Sequence, residues 1–150
     1  MKAIPILTRP GLHTSAFYAS LFMATGVQMP FWPLWLADWG LTPEEVGLYT
    51  ALGMAVRVVA GLAIPALADR MDARRHTVIV CALATALLYL AHLGIVHEAA
   101  LLVATLAVGA SMAGIGPIAE ALGVAAARAC RFPYAQARGI GSLGFLFSNL

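Results

Sequence analysis

Charge is scarce in this 150-residue chain: 11% of its residues are Asp, Glu, Lys or Arg, against 61% hydrophobic. Soluble domains carry about 25% charged residues, so there is too little polar surface here to cover a water-exposed globule. An ordinary soluble domain is excluded, and the mean hydropathy of +0.86 excludes disorder. Cysteine is nearly absent. Cys81 and Cys130 are the only two, too few for a disulfide scaffold, and both are expected in lipid, in protein interior or in a reducing cytoplasm. The apolar stretches do not alternate with period two, so barrel strands are excluded and helices remain for a backbone that must satisfy itself in lipid. No histidines, cysteines and carboxylates stand at metal-ligand spacing, and no serine elbow or phosphate loop occurs. Neither an enzyme nor a metal or other cofactor is expected. The formal charge of +2 comes without the long, aromatic-interleaved basic patch of a nucleic-acid binder.

What the chain has is long apolar runs. Four lie at about 14–36, 45–68, 77–96 and 99–127, and a fifth runs from about 139 to 150. Each of the first four reaches the roughly 20 residues that cross about 30 Å of hydrocarbon. The fold class expected is an all-α integral membrane protein in a lipid bilayer, with four transmembrane helices and the start of a fifth. Between the first two runs, Thr42 followed by Pro43 and Glu45 reads as a capping box. His97 and Glu98 read as a tight turn that makes the third and fourth helices antiparallel neighbours.

Orientation follows from the basic residues. Lys2 and Arg9 precede the first run, Arg70, Arg74 and Arg75 separate the second and third, and Arg128, Arg131 and Arg138 separate the fourth and fifth. Eight of the nine basic residues thus fall on one side, while the opposite loops carry Asp38, Glu44 and Glu98. The positive-inside rule puts the N-terminus and both basic loops in the cytoplasm. The first run exceeds a signal-peptide core, carries Pro30 and Pro33, and meets a poor cleavage site at Ala37-Asp38-Trp39. It reads as a retained helix.

Two charges lie inside the spans. A charged side chain at span centre costs about 2.5–3.5 kcal/mol on insertion scales, so such residues mark function by default. Arg57 stands about 18 Å of helix before Asp69 and Glu120 about 12 Å before Arg128, close enough in depth to pair directly or through water. Glu120 is a candidate titratable carboxylate whose proton affinity burial and a guanidinium would set. Gly109, Ala113, Gly116 and Glu120 form a small-residue stripe ending in a carboxylate, and Pro117 removes one backbone hydrogen bond beside it. Small residues suit helix packing; the charge in line with them suits a cavity wall. On the first helix Tyr18, Gln28 and Trp32 share a face and are candidate cavity-lining residues, with Trp35 and Trp39 as interfacial anchors.

Asp69-Arg70-Met71-Asp72-Ala73-Arg74-Arg75 resembles the loop signature of the major facilitator superfamily between its second and third helices, with Asp69, Arg70, Arg74 and Arg75 matching and Pro65 and Asp72 replacing two glycines. The chain further resembles the branch of phenylpropionate-permease-like and nucleoside- or lactose-type proton symporters. Gly26 with Pro30, Phe31, Pro33 and Leu34, then Gly40-Leu41-Thr42-Pro43, Arg57 with Gly61, and Pro117 with Glu120 carry that resemblance. Tyr134, Arg138, Gly141 and Ser142 fit its motif leading into the fifth helix. The resemblance implies a proton-coupled permease for a small organic solute, in a bacterial inner membrane, working by alternating access. Residues 1–150 would then be part of an N-terminal six-helix half, with the remaining C-terminal helices of the same carrier as partners. It implies Glu120 as the proton-coupling or solute-contacting carboxylate, Arg57 as its modulator or the partner of an anionic solute, and Asp69, Arg70, Arg74 and Arg75 as a conformational latch. The rival reading is a small self-associating membrane protein, such as a four-helix multidrug exporter or a non-transporting membrane partner. The one-sided basic loops oppose an exporter that inserts both ways.

Overall fold

The computed structural model describes residues 8–150, so Lys2 lies outside the described residues. Five helices follow one another, α1 (Arg9–Trp39), α2 (Pro43–Arg70), α3 (Arg74–His92), α4 (Glu98–Cys130) and α5 (Tyr134–Ser148), and the described residues contain no strand. Three of them, α2, α3 and α4, are long and apolar enough to cross a membrane. α1 has 31 residues but dilutes its apolar content with Gln28, Pro30, Pro33 and three tryptophans, and α5, with 15 residues, spans only about 22 Å.

Helix ends follow local chemistry. Thr8 caps α1, accepting a hydrogen bond from the Gly11 N–H at 3.3 Å, and α1 stops at Gly40, whose φ of 115° is open to glycine. α2 opens with the capping box: Glu45 N–H donates to Thr42 Oγ1 at 3.3 Å and Thr42 N–H donates to Glu45 Oε2 at 2.7 Å. α2 ends in a turn where Asp72 takes a φ of 49°. Aspartate is one of the few side chains that tolerate this left-handed conformation, and it stands where the resembling signature has glycine.

Two connections differ from the apolar pattern. α3 stops at His92, so the turn before α4 is the segment 93–97 rather than His97 and Glu98 alone; Gly94 N–H bonds back to Ala91 O at 3.1 Å and closes the helix. α5 begins at Tyr134, five residues before its apolar stretch, because Pro133 precedes a helix-compatible but polar first turn. Near residue 148 the Ser148 and Asn149 side chains both donate to Phe145 O, at 2.9 and 3.0 Å.

The chain divides into two compact units. In the unit formed by residues 8–41 and 123–150, α1 packs on α5. Glycines permit this close approach: a Cβ on Gly144 would stand 3.1 Å from Ala19 O, and one on Gly26 would stand 2.9 Å from Phe145 O. Ala127, Phe132 and Ala137 form a small apolar core at its loop end. In the unit formed by residues 42–122, α4 is the most buried span, through Leu101, Val108, Ile115, Ile118 and Ala119. α2 leaves Leu48, Met54, Val58, Val59 and Leu62 exposed, an apolar surface suited to lipid rather than water.

Candidate functional site

In the first unit, Tyr18 is fully buried. Its hydroxyl lies 3.2 Å from the Tyr134 hydroxyl, its ring meets the Tyr134 ring edge-on, and it is seated against Gly123 on α4 and Gly141 on α5. Arg138 covers the ring of Phe22 at 5.7 Å, a cation–π distance. Three of the four candidate residues at the entry to α5, Tyr134, Arg138 and Gly141, therefore gather around Tyr18 and its neighbour Phe22; Ser142 is exposed. Further along α1, Trp32 and Trp35 stack on one another, with centroids 5.1 Å apart and planes inclined by 22°. Gln28, one turn before Trp32, has its Oε1 buried, and no donor reaches that oxygen among the described residues.

In the second unit, α2 and α4 approach through small residues. The Arg57 side chain lies along Gly109, with Cγ and Nε 3.6 and 3.7 Å from where a Cβ would stand, and Gly61 meets Ala113 in the same way at 3.9 Å between β-carbons. Ile64 closes on Gly114. Gly109 and Ala113 of the small-residue stripe are therefore packing positions, whereas Gly116 has open space around it.

That register separates the two intramembrane charges. Arg57 stands at Gly109, and Glu120 is eleven positions further along α4, about 16 Å of helix. A direct Arg57–Glu120 ion pair is absent among the described residues. α4 has 33 residues, about 50 Å, more than a span needs. Glu120 is half-buried.

α3 adds groups that spacing did not single out. Thr85 Oγ1 is 2.8 Å from Ser111 Oγ of α4, and Tyr89 OH donates to Met112 Sδ at 3.6 Å. The sequence signal for them is a hydroxyl or phenol at i and i+4 of an otherwise apolar span, which reads equally well as outward-facing.

Of the loop residues expected to form a latch, the structure joins two. Arg74 Nε donates to Asp69 Oδ1 at 2.6 Å, both side chains about half exposed. Both groups stand at helix ends, outside the apolar stretches, and the hydrogen bond from Arg74 holds the Asp69 carboxyl below the usual carboxylate range. Arg70 and Arg75 are exposed and form no ion pair among the described residues.

Known proteins resemble the chain. It is 27% identical over 132 residues to a protein of Escherichia coli (strain K12) described as "Probable 3-phenylpropionic acid transporter", an alignment that covers 88% of this chain and 35% of that protein. The chain thus spans about a third of the length of the curated relative it matches. No solved structure matches it. Residues 12–150 match the MFS_1 like family, and an all-helical chain with three helices able to cross a membrane is what such a family requires. The chain belongs to the MFS_1 like family, the major-facilitator type of helical membrane protein that its loop and helix motifs resemble.

Proposed function

We infer that the chain works within a secondary active carrier for a small organic solute, moving it across a bacterial inner membrane together with protons by alternating access. The observation that carries this reading is the family match over residues 12–150, supported by the relative whose description names 3-phenylpropionic acid transport. An aromatic monocarboxylate such as 3-phenylpropionate is therefore the first solute to test. In this reading residues 1–150 belong to the N-terminal half of the carrier, the N-terminus and both basic loops are cytoplasmic, and the rest of the cavity comes from further helices of the same carrier. No covalent chemistry is asked of any residue.

Glu120 is the proton-coupling carboxylate. It is half-buried on α4, next to Pro117 and beyond the open position at Gly116. Gln28 and Trp32 contribute to the solute path from α1: a buried carbonyl oxygen awaiting a donor and a flat apolar surface. Asp69 and Arg74, with Arg70 and Arg75 beside them, form a cytoplasmic latch whose pair is made in one state and released in the other. Tyr18 and Tyr134, with Arg138 and Gly141, join α1 to α5 rather than contact solute.

The test is accumulation of labelled 3-phenylpropionate by cells expressing the complete carrier, with and without a protonophore. The Glu120→Gln carrier is expected to equilibrate the solute without concentrating it. Undiminished proton-driven accumulation would remove the coupling role.

A further inference from the structure

Residues 121–150 contain no Asp or Glu, yet Arg128, Arg131 and Arg138 all fall among them. The turn between α2 and α3 is different: Asp69 and Asp72 stand beside Arg70, Arg74 and Arg75, and Asp69 bonds Arg74 at 2.6 Å. At the α4–α5 loop Arg138 lies over the Phe22 ring, whereas Arg128 and Arg131 are exposed and form no ion pair among the described residues. Their backbone is nevertheless fixed. Arg128 follows Ala127 and Arg131 precedes Phe132, and these two neighbours are buried with Ala137 in the core at the loop end of this unit. Arg131 is also the first residue beyond α4 and takes a φ of 54°, a left-handed position where helices usually end on glycine and where an arginine side chain is sterically disfavoured. Stability of the helix end alone would favour glycine there, and the guanidinium gains no charged partner among the described residues to offset the strain.

We propose that Arg128 and Arg131 hold the headgroup phosphate of an anionic phospholipid where α4 leaves the membrane. The two residues are three positions apart across the end of α4, the spacing at which helix residues are neighbours, and each guanidinium can give parallel N–H donors to a phosphate. α4 is long and apolar enough to span, and α5 opens three residues after Arg131. The loop therefore meets the membrane surface, where each arginine adds to the attraction for anionic headgroups. Further along α5, Ile140, Leu143 and Phe147 are exposed at intervals of three and four residues, one apolar face fit for the acyl chains of such a lipid. A zwitterionic headgroup brings its own cation and leaves both arginines uncompensated. With no carboxylate in residues 121–150, a lipid of net negative charge is the partner that fits. The proposal needs only the membrane location of the helices and is independent of solute and of proton coupling.

Native mass spectrometry of the full carrier, offered equal amounts of phosphatidylglycerol and phosphatidylcholine with matched acyl chains, tests this. Wild type is expected to retain phosphatidylglycerol in preference. Arg128→Gln and Arg131→Gly are each expected to reduce that preference about fivefold, the size of one arginine at an anionic surface, while Arg131→Lys keeps the charge and most of the preference. Arg131→Gly also relieves the left-handed backbone. In detergent without added lipid it is therefore expected to melt no lower than wild type, which separates loss of the lipid from loss of the fold. Soluble glycerol phosphate lacks the acyl chains and is expected not to displace the lipid. No preference in wild type, an unchanged preference in Arg128→Gln or Arg131→Gly, or full displacement by glycerol phosphate overturns the proposal. The last outcome would make the loop a site for a free phosphate monoester.

Discussion

The hydroxyls of Tyr18 and Tyr134 lie 3.2 Å apart, joining α1 to the first turn of α5, and Tyr18 is fully buried. A Cβ on Gly123 would collide with the Tyr18 hydroxyl. Gly123→Ala is therefore expected to destabilise the protein by about 1–3 kcal/mol, the usual range for overpacking. Tyr18→Phe loses about 0.5–1.5 kcal/mol of hydrogen bonding and removes the colliding atom, so the double variant should be more stable than the two separate losses imply. Thermal unfolding in detergent of the four proteins of this cycle measures the coupling; simple additivity would show that Gly123 is not the seat of Tyr18.

Asp72 holds a φ of 49° at the turn between α2 and α3. Glycine adopts this conformation freely, whereas a β-branched residue pays the full steric cost of about 1–2 kcal/mol. Asp72→Gly is expected to leave the melting temperature unchanged or slightly raised, and Asp72→Val to lower it. Equal melting temperatures for both would mean that the turn relaxes out of the left-handed region.

The Asp69–Arg74 pair gives a pH signature of known sign. Its hydrogen bond lowers the folded-state pKa of Asp69, so the pair contributes fully above the ordinary aspartate range and fades as pH falls through the lowered value. Hydrogen-exchange protection across residues 69–74, corrected for intrinsic rates, is expected to drop on acidification in wild type and to stay flat in Asp69→Asn. The same pH profile in both proteins would dismiss the pair as a source of local order.

Thr85 and Ser111 link α3 to α4 through a 2.8 Å hydroxyl contact. Side-chain hydrogen bonds between membrane helices contribute about 0.6–2 kcal/mol. Thr85→Val, which keeps the shape, should cost that much in wild type and little in a Ser111→Ala background. A cost unchanged by Ser111→Ala would assign the effect to packing.

Helix type and number were written in the chain itself. Scarcity of charge, apolar runs of span length, the Thr42–Glu45 capping box and the loop signature from Asp69 to Arg75 are local properties, and local properties survive in one dimension. Helix ends were less legible: the third apolar run reads to about 96, whereas α3 stops at His92 and the Gly94 N–H bonds back to Ala91 O. Hydropathy does not register such bonds.

Which residues meet was decided by tertiary structure alone. Gly109 and Glu120 lie on one stripe of α4 by spacing, yet only the register against α2 shows Arg57 on Gly109. Tyr18 and Gln28 belong to one line along α1, but α5 seals Tyr18 against Tyr134 and Gly141 while the Gln28 oxygen finds no donor among the described residues. Tyr89 reads as any aromatic in an apolar span, and only the structure puts Met112 Sδ beside its hydroxyl. The physical reason is common to all three. Periodicity determines which face of a helix a residue occupies, whereas its neighbours depend on how far one helix slides along another, and that slide is set by where glycines let backbones approach.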